Sequence, residues 1–211
     1  MNSIWKEIIN IANQANRTII FLKEDIIDRK EACERLGIPS KTVLYSVVSN
    51  SNGIIIDNWI RIWGQDSSLN NGLFYYNSKF KDYISGMILV ACDVVGGLFA
   101  INITRFNDNN LIWYFAPDTL DWECLDMKYN EFLAWTFQGN IDEFYETMRW
   151  KNWEEDVKGL EINKAILVYP FLWAKECDIE NATKKLVAID EIISMNFDYS
   201  NKFCYWYSPS N

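Results

Sequence analysis

The spacing of apolar positions divides the chain into helical ends and a strand-rich middle. Near the start, Ile4, Trp5, Ile8, Ile9 and Ala12 recur at helical spacing, with charged and amide side chains between them. Short runs rich in β-branched and aromatic residues follow, and such runs predict strands. They occupy 18–22, 42–48, 53–57, 59–63, 86–92, 98–104 and 111–115. Because several of them are separated by short turn-like segments, we expect an antiparallel meander rather than parallel strands joined by crossovers.

The second half of the chain returns to a helical period. NEFLAWTFQG predicts a helix that ends at Gly139, and Asn140 with Glu143 forms a capping pattern for another helix. The apolar face of that second helix comprises Ile141, Phe144, Tyr145 and Met148. AILVYPFLW predicts a strand and AIDEIISM a last helix. The Gly-, Ser- and Asn-rich segment 64–80 predicts a loop.

These elements predict an α+β fold whose central sheet is mainly antiparallel, with about five to seven strands and helices at the N-terminus and in the C-terminal half. A chain of 211 residues without a long linker fits one domain, 1–211. We expect four parts within it. They are a helical and strand lead-in (1–40), the sheet (41–116), an acidic helical segment (117–160), and a strand with a C-terminal helix (161–211).

Composition narrows the chemistry that the chain can perform. The sequence contains no histidine, which removes the commonest general base and the commonest metal ligand. Its five cysteines are widely spaced and form no C-x-x-C pair, so reduced thiols are expected and no metal or other cofactor is predicted. The residues therefore favour a protein that is not an enzyme.

The N-terminal and apolar segments bear on location. MNSIWKEIIN lacks a basic segment followed by an apolar run, which predicts no secretory signal. The longest apolar stretch, 87–103, is interrupted by Asp93 and by Gly96-Gly97 and is shorter than a membrane helix requires. We therefore expect a soluble, cytoplasmic protein without a membrane partner.

Negative charge is concentrated in one segment. The net charge is −9, and residues 117–156 contain eleven acidic and three basic side chains, which carry −8 of it. Such a segment repels phosphate backbones and attracts basic surfaces. We expect a basic protein partner and no direct nucleic-acid binding, while the sequence leaves monomer and homodimer open.

Two clusters are candidates for partner binding. The first lies in YFAPDTLDWECL (114–125), which we interpret as a strand-to-helix junction that begins an acidic surface. Alternatively, its tryptophan and carboxylates could bind or hydrolyse a carbohydrate or another small ligand. The second cluster is the polar face of the capped helix, for which a solvated surface is the alternative. Together the candidates are Asp118, Asp121, Trp122, Glu123, Asp142, Glu143 and Glu146.

Two other features resemble sites but have structural explanations. Cys92 lies in a wholly apolar strand without a histidine, so we predict a buried, inert thiol. Gly96-Gly97 lacks the Gly-Lys-Ser/Thr continuation of a phosphate loop. We predict that it forms a turn or bulge between the strands 86–92 and 98–104.

Several blocks of the sequence resemble a bacterial family of unknown function. They are GIIIDNWIRIWG (53–64), ACDVVGGLFAIN (91–102), YFAPDTLDWECL (114–125), YNEFLAWTFQGNIDEFYETMRWKNWEEDV (129–157) and YPFLW (169–173). More remotely, the order of a Gly-marked hairpin, a strand and a helix is similar to the SUKH superfamily. That resemblance implies an α+β fold and, for many members, an immunity role in which the protein binds and neutralises a bacterial toxin. It supplies no catalytic residues.

Overall fold

The structure is a computed structural model that describes residues 3–23, 30–66 and 71–207. Within these ranges, side chains are described except at 30–32 and 204–207. Part of the segment 25–39, for which the stop signal at Gly37 and Pro39 predicts a helix, lies outside the described residues.

Seven strands form one antiparallel sheet, and their order in space is their order along the chain. Two further strands pair antiparallel as a separate small sheet within the described part of the chain. The large sheet contains β1 (Ile19–Leu22), β2 (Gly53–Ile56), β3 (Ile60–Trp63), β4 (Met87–Asp93), β5 (Leu98–Asn102), β6 (Leu111–Ala116) and β7 (Asp121–Lys128). The small sheet contains β8 (Lys164–Tyr169) and β9 (Thr183–Ala188).

In the described ranges, helices precede the first strand, follow the last one and occupy three of the connections between strands. They are α1 (Ser3–Asn13), α2 (Lys30–Arg35), α3 (Val43–Asn50), α4 (Leu73–Lys79), α5 (Tyr129–Gln138), α6 (Ile141–Phe144), α7 (Trp153–Val157) and α8 (Ile189–Tyr207). The predicted α+β fold, its antiparallel sheet and its helices at the N-terminus and in the C-terminal half are therefore confirmed.

Helices cover both faces of the large sheet, because residues on alternate positions of its strands contact different helices. Phe99 of β5 packs on Phe132 of α5, with ring centroids 4.8 Å apart. Phe115 of β6 projects to the other face and packs on Phe197 of α8, at 5.0 Å. The central strand β4 is buried along its whole length, as its continuous apolar sequence predicts.

Two predictions in the first half of the sheet are wrong. The run TVLYSVV forms α3 rather than a strand, with Thr42 as its N-cap accepting a hydrogen bond from the amide of Tyr45. Its buried positions Leu44, Val47 and Val48 follow helical spacing, so packing outweighs the strand preference of its β-branched residues. Asn52-Gly53 therefore links α3 to β2. The segment 64–80 contains α4 and is not wholly a loop.

The prediction that 117–160 is helical is also wrong in its first part. Residues 121–128 form β7 instead. Its half-buried apolar residues and its exposed residues do not alternate strictly along the strand. The predicted helix after Asn140 is shorter than its pattern indicates, since α6 ends at Phe144. Tyr145 and Met148 are nevertheless buried, as the predicted apolar face requires.

The small sheet is attached to the large one by hydrogen bonds to buried groups. The amide of Ile166 in β8 donates to the carbonyl of Val94, at 2.7 Å. The buried guanidinium of Arg61 in β3 donates to the carbonyls of Glu161 and Ile162, at 3.2 and 3.0 Å, and to that of Lys164. Arg61 therefore donates hydrogen bonds to three backbone carbonyls at the start of β8.

No helix in the described ranges is long and apolar enough to cross a membrane.

Candidate functional site

The stretch YFAPDTLDWECL forms a β-hairpin, which corrects the prediction of a strand-to-helix junction. Ala116 pairs with Asp121 across the turn, and Leu120 within the turn has a φ of 57°. Asp118 is half-buried in this turn, and its Oδ1 atom is buried without a hydrogen-bond partner. Asp121 and Glu123 are exposed on β7.

Strand geometry separates Trp122 from the carboxylates beside it. Successive side chains of a strand point to opposite faces of the sheet. Trp122 packs on Phe115, with centroids 5.3 Å apart, on the face covered by α8. Asp121 and Glu123 lie on the opposite face, where Glu123 pairs in register with Tyr114. Trp122 therefore does not share a concave site with these two acids.

The second predicted cluster lies on α6 and the turn after it. Asn140 caps the helix as predicted, since its Oδ1 accepts from the amide of Glu143 at 3.4 Å. The Asn140 side-chain amide also donates to the Glu143 carboxylate, at 2.7 Å. Asp142 forms an ion pair with Arg149 at 2.6 Å, whereas Glu146 is exposed. Asp142 thus has a structural role in addition to its negative charge.

A shallow groove lies where β7 meets α5 and α6, and Glu143 is the candidate residue that lines it. The groove has a volume of about 340 Å³ and is lined by Leu125, Met127, Trp135, Asn140, Glu143 and Phe144. Four of these are partly buried apolar side chains. Sequence periodicity could not identify the groove, because its apolar residues come from three different elements.

The strand that forms one side of the groove is an edge strand. Among the described residues, β7 pairs with β6 on one side and with no strand on the other. Five of its eight residues are exposed. Glu123 and Asp126 lie beside the apolar positions Leu125 and Met127 along it. An open edge presents unpaired backbone groups that a strand of another chain can bind.

A buried arginine behind α6 was missed by the sequence analysis. The Arg149 guanidinium lies 3.9 Å from the ring centroid of Trp153, 4.9 Å from that of Trp59 and 5.1 Å from that of Tyr145. Its Nε and Nη2 atoms are buried without hydrogen-bond partners, and burial lowers its pKa. These ring faces and Asp142 stabilise its positive charge.

The buried carboxylate of Asp93 connects α6 to the sheet. Its Oδ1 accepts from the amides of Val95 and Gly97, at 3.0 and 2.8 Å. Its Oδ2 accepts from the hydroxyls of Tyr114 and Tyr145, at 2.7 and 3.2 Å. Four donors satisfy the carboxylate, so its arrangement indicates a structural role.

The turn at Gly96-Gly97 joins β4 and β5, as predicted. A Cβ atom at Gly97 would overlap both the Asp93 carboxylate and the Tyr114 hydroxyl. This close approach explains why glycine occupies the position, and no phosphate-binding function is needed to account for it.

Groups suited to catalysis or metal binding are sparse in the described part of the chain. Cys92 is fully buried as predicted, and burial raises the pKa of its thiol to about 12. No cluster of three or more His, Cys, Asp or Glu residues suited to a metal ion occurs in the described ranges. Of the candidate residues, Glu143 lines the groove and Glu123 lies on the strand that forms one side of it.

The fold and this groove define an α+β protein with an open, acidic sheet edge. The chain belongs to the family described as Protein of unknown function DUF2625, which matches residues 1–192. It is 32% identical over 207 residues to the putative uncharacterized protein YbfG of Escherichia coli K12, covering 96% of this chain and 94% of that protein. An uncharacterized protein of Haemophilus influenzae Rd is 32% identical over 215 residues, covering 98% of this chain and 94% of that protein.

Proposed function

We propose that the protein is a non-catalytic binding module that docks a basic segment of another protein along β7 and its neighbouring groove. The observation that carries this proposal is the meeting of an open edge strand with an apolar groove at an acidic rim. The edge offers backbone hydrogen bonds, and the groove offers a place for an apolar side chain of the partner.

The charge beside the groove favours a basic partner. Antiparallel pairing of two β7 strands about their midpoint would place Glu123 opposite Asp126, which is unfavourable, whereas Asp121 would lie opposite Lys128. A basic strand would instead place Lys or Arg near Glu123, Asp126 and Glu143. Electrostatic attraction would also accelerate the encounter and make it sensitive to salt.

An immunity role is a specific form of this function. The resemblance to the SUKH superfamily implies binding to a toxin, and a basic toxin domain fits the acidic edge. Inhibition in this form of the proposal is steric, because the bound module occludes the active site of the toxin.

A carbohydrate-binding or hydrolytic function receives less support from the geometry. A glycoside hydrolase places two carboxyl groups on either side of the scissile bond. Here Asp121 and Glu123 are exposed on one face, and Trp122 packs on the other.

The docking proposal can be tested by photo-crosslinking in the native host. A photoreactive phenylalanine analogue replaces Met127 in the groove or, as a control, Asp108 in an exposed loop. We expect a basic protein to be crosslinked from position 127 and not from position 108. Mass spectrometry identifies it, and the purified pair then provides an affinity.

Charge-matched variants separate docking from general attraction. The groove variant carries Glu123→Lys, Asp126→Lys and Glu143→Lys, whereas the control variant changes the exposed acids Asp82, Asp108 and Glu176 to Lys. Both change the net charge equally. We expect the groove variant to lose about tenfold or more in affinity and the control to lose much less. Equal losses in both folded variants would contradict docking at this edge.

A further inference from the structure

A second cavity lies away from the groove beside β7. It is bounded by the segment between α2 and α3, by β4 and β5, and by the junction of β7 with α5. Its volume is about 510 Å³, which falls within the range of about 300–1,000 Å³ that is typical of small-ligand pockets.

The walls of this cavity are mainly aliphatic. Most of its exposed lining is apolar, and Ile103 is 38% exposed although it is a large hydrophobic residue. The aliphatic lining consists of Ile38, Val43, Leu44, Ile88, Ile101 and Ile103. Such walls favour a hydrocarbon body and offer few partners for the hydroxyl groups of a sugar.

Two lysines give the cavity a charge opposite to that of the protein. Lys41 and Lys128 both line it and are exposed. Neither side chain forms an ion pair with another described residue. On a chain with a net charge of −9, two such ammonium groups beside this apolar cavity favour an anionic head group.

Tyr129, which lines the cavity, has a buried hydroxyl without a partner. Tyr129 lines the cavity and is 7% exposed, and its hydroxyl oxygen forms no hydrogen bond. A buried polar group without a partner is costly, so its presence requires an explanation. Burial raises the pKa of Tyr129 well above its ordinary value, which keeps the hydroxyl protonated and able to donate.

We propose that this cavity binds a small amphipathic carboxylate, whose hydrocarbon body packs on the isoleucines and whose carboxylate lies near Lys41 and Lys128. The Tyr129 hydroxyl donates a hydrogen bond to a ligand oxygen. This site is independent of the β7 groove, so either proposal can fail without affecting the other.

Isothermal titration calorimetry with three ligands of one chain length tests the chemical class. The probes are decanoate, decanol and decylamine. We expect decanoate to bind and decanol to bind about tenfold more weakly, because a charge-assisted interaction is lost. Decylamine should bind more weakly still. Absence of decanoate binding, or equal affinity for all three probes, would overturn the proposal.

Variants of the lysines test the position of the head group. Changing both Lys41 and Lys128 to Met should reduce the affinity for decanoate to about that for decanol, with decanol binding unchanged. The matched control changes Lys175 and Lys185, which are exposed and do not line the cavity, to Met. An equal loss of decanoate binding in the control would contradict the assignment.

Tyr129→Phe distinguishes ligand binding from a purely structural role. Removal of an unsatisfied hydroxyl should raise the unfolding midpoint of the ligand-free protein and weaken decanoate binding about fivefold. Unchanged affinity would exclude the hydroxyl from the site.

Ile103→Trp should fill the cavity and abolish binding in a variant that unfolds at the wild-type midpoint. Retained binding would place the ligand elsewhere.

Discussion

At the scale of single residues, Asp93 shows how a buried acid can be structural rather than catalytic. Both of its oxygens are occupied by donors, two from backbone amides and two from tyrosine hydroxyls. Removal of such a carboxylate leaves four donors without an acceptor in a region that excludes water.

Two substitutions at Asp93 should therefore differ widely. Asp93→Ala should lower the free energy of unfolding by about 3 kcal/mol or more, because four buried donors lose their acceptor. Asp93→Asn should lower it by no more than about 1 kcal/mol, since its amide can donate to both phenol oxygens while its carbonyl accepts from both backbone amides. Urea unfolding followed by tryptophan fluorescence measures both. Equal losses would show that the hydrogen-bond geometry is unimportant.

The charge of Asp93 predicts a pH dependence of stability. Burial raises the pKa of Asp93, against its hydrogen bonds, which lower it. A raised folded-state pKa gives stability that is full below the unfolded-state pKa and is lost as the pH rises through the folded-state value. The stability of the wild type relative to Asp93→Asn should therefore decline as the pH rises from about 4 through the raised folded-state pKa of Asp93. Urea titrations across this interval check the sign, and a relative stability that rises with pH would contradict it.

At the scale of elements, Arg61 shows how a single side chain attaches one sheet to another. Its guanidinium is buried in β3 and binds three carbonyls at the start of β8. A second polar link is the hydrogen bond that the amide of Ile166 donates to the carbonyl of Val94. Loss of the guanidinium would leave three carbonyls without that donor. Because these carbonyls lie at the start of β8, we expect the small sheet to be destabilised first.

Arg61→Leu should loosen β8 while the centre of the large sheet remains protected. We expect amide hydrogen exchange in 161–169 to accelerate by about tenfold or more, with little change in β4. Lys185→Leu removes the same charge from the exposed side of β9 and serves as the control. Uniform acceleration across all strands would instead indicate that Arg61 supports the whole molecule.

The sequence predicts strands best where both faces are buried. β4 is apolar from Met87 to Cys92, and its predicted bounds, 86–92, lie within one residue of the observed ones at each end. β7 is not predicted by the sequence. It is an edge strand and is partly exposed, so its sequence, DWECLDMK, can mix apolar and charged residues without regular alternation. The run at 42–48 was assigned to a strand because its β-branched residues favour one locally, whereas tertiary packing selects a helix.

The candidate site could be predicted only in part for a similar reason. The acidic concentration is visible in the sequence, and Asn140 and Glu143 form the predicted cap. The groove is not visible, since Leu125 and Phe144 become neighbours only when β7 and α6 pack. Nor could the ion pair of Asp142 with Arg149 be predicted, because it depends on the aromatic rings around Arg149.

At the scale of the whole molecule, the uneven charge affects the stability of the fold as well as the choice of partner. Residues 117–156 carry −8 of the net −9, and many of their acids are exposed. Exposed like charges repel one another, and salt screens this repulsion over a distance of about 10 Å at 0.1 M. Part of the stability should therefore depend on ionic strength.

An increase in NaCl from about 20 mM to about 200 mM should raise the unfolding midpoint of the wild type by about 2–4 °C. The variant Glu123→Lys, Asp126→Lys, Glu143→Lys should show a smaller increase, because it lowers the local concentration of acids. The charge-matched variant of Asp82, Asp108 and Glu176 should keep most of the wild-type response. Differential scanning calorimetry compares the three proteins, and equal responses in both variants would indicate that only the total charge matters.

The meander order of the large sheet has a consequence for synthesis on the ribosome. Because each strand pairs with the next one along the chain, a growing sheet can add one strand at a time as the polypeptide emerges. Each temporary edge is then covered by the strand that follows it. Among the described residues, β7 is the last strand of this series, so no later strand of the large sheet covers its outer edge. The surface proposed for docking is thus the growing end of the sheet, retained in the finished protein.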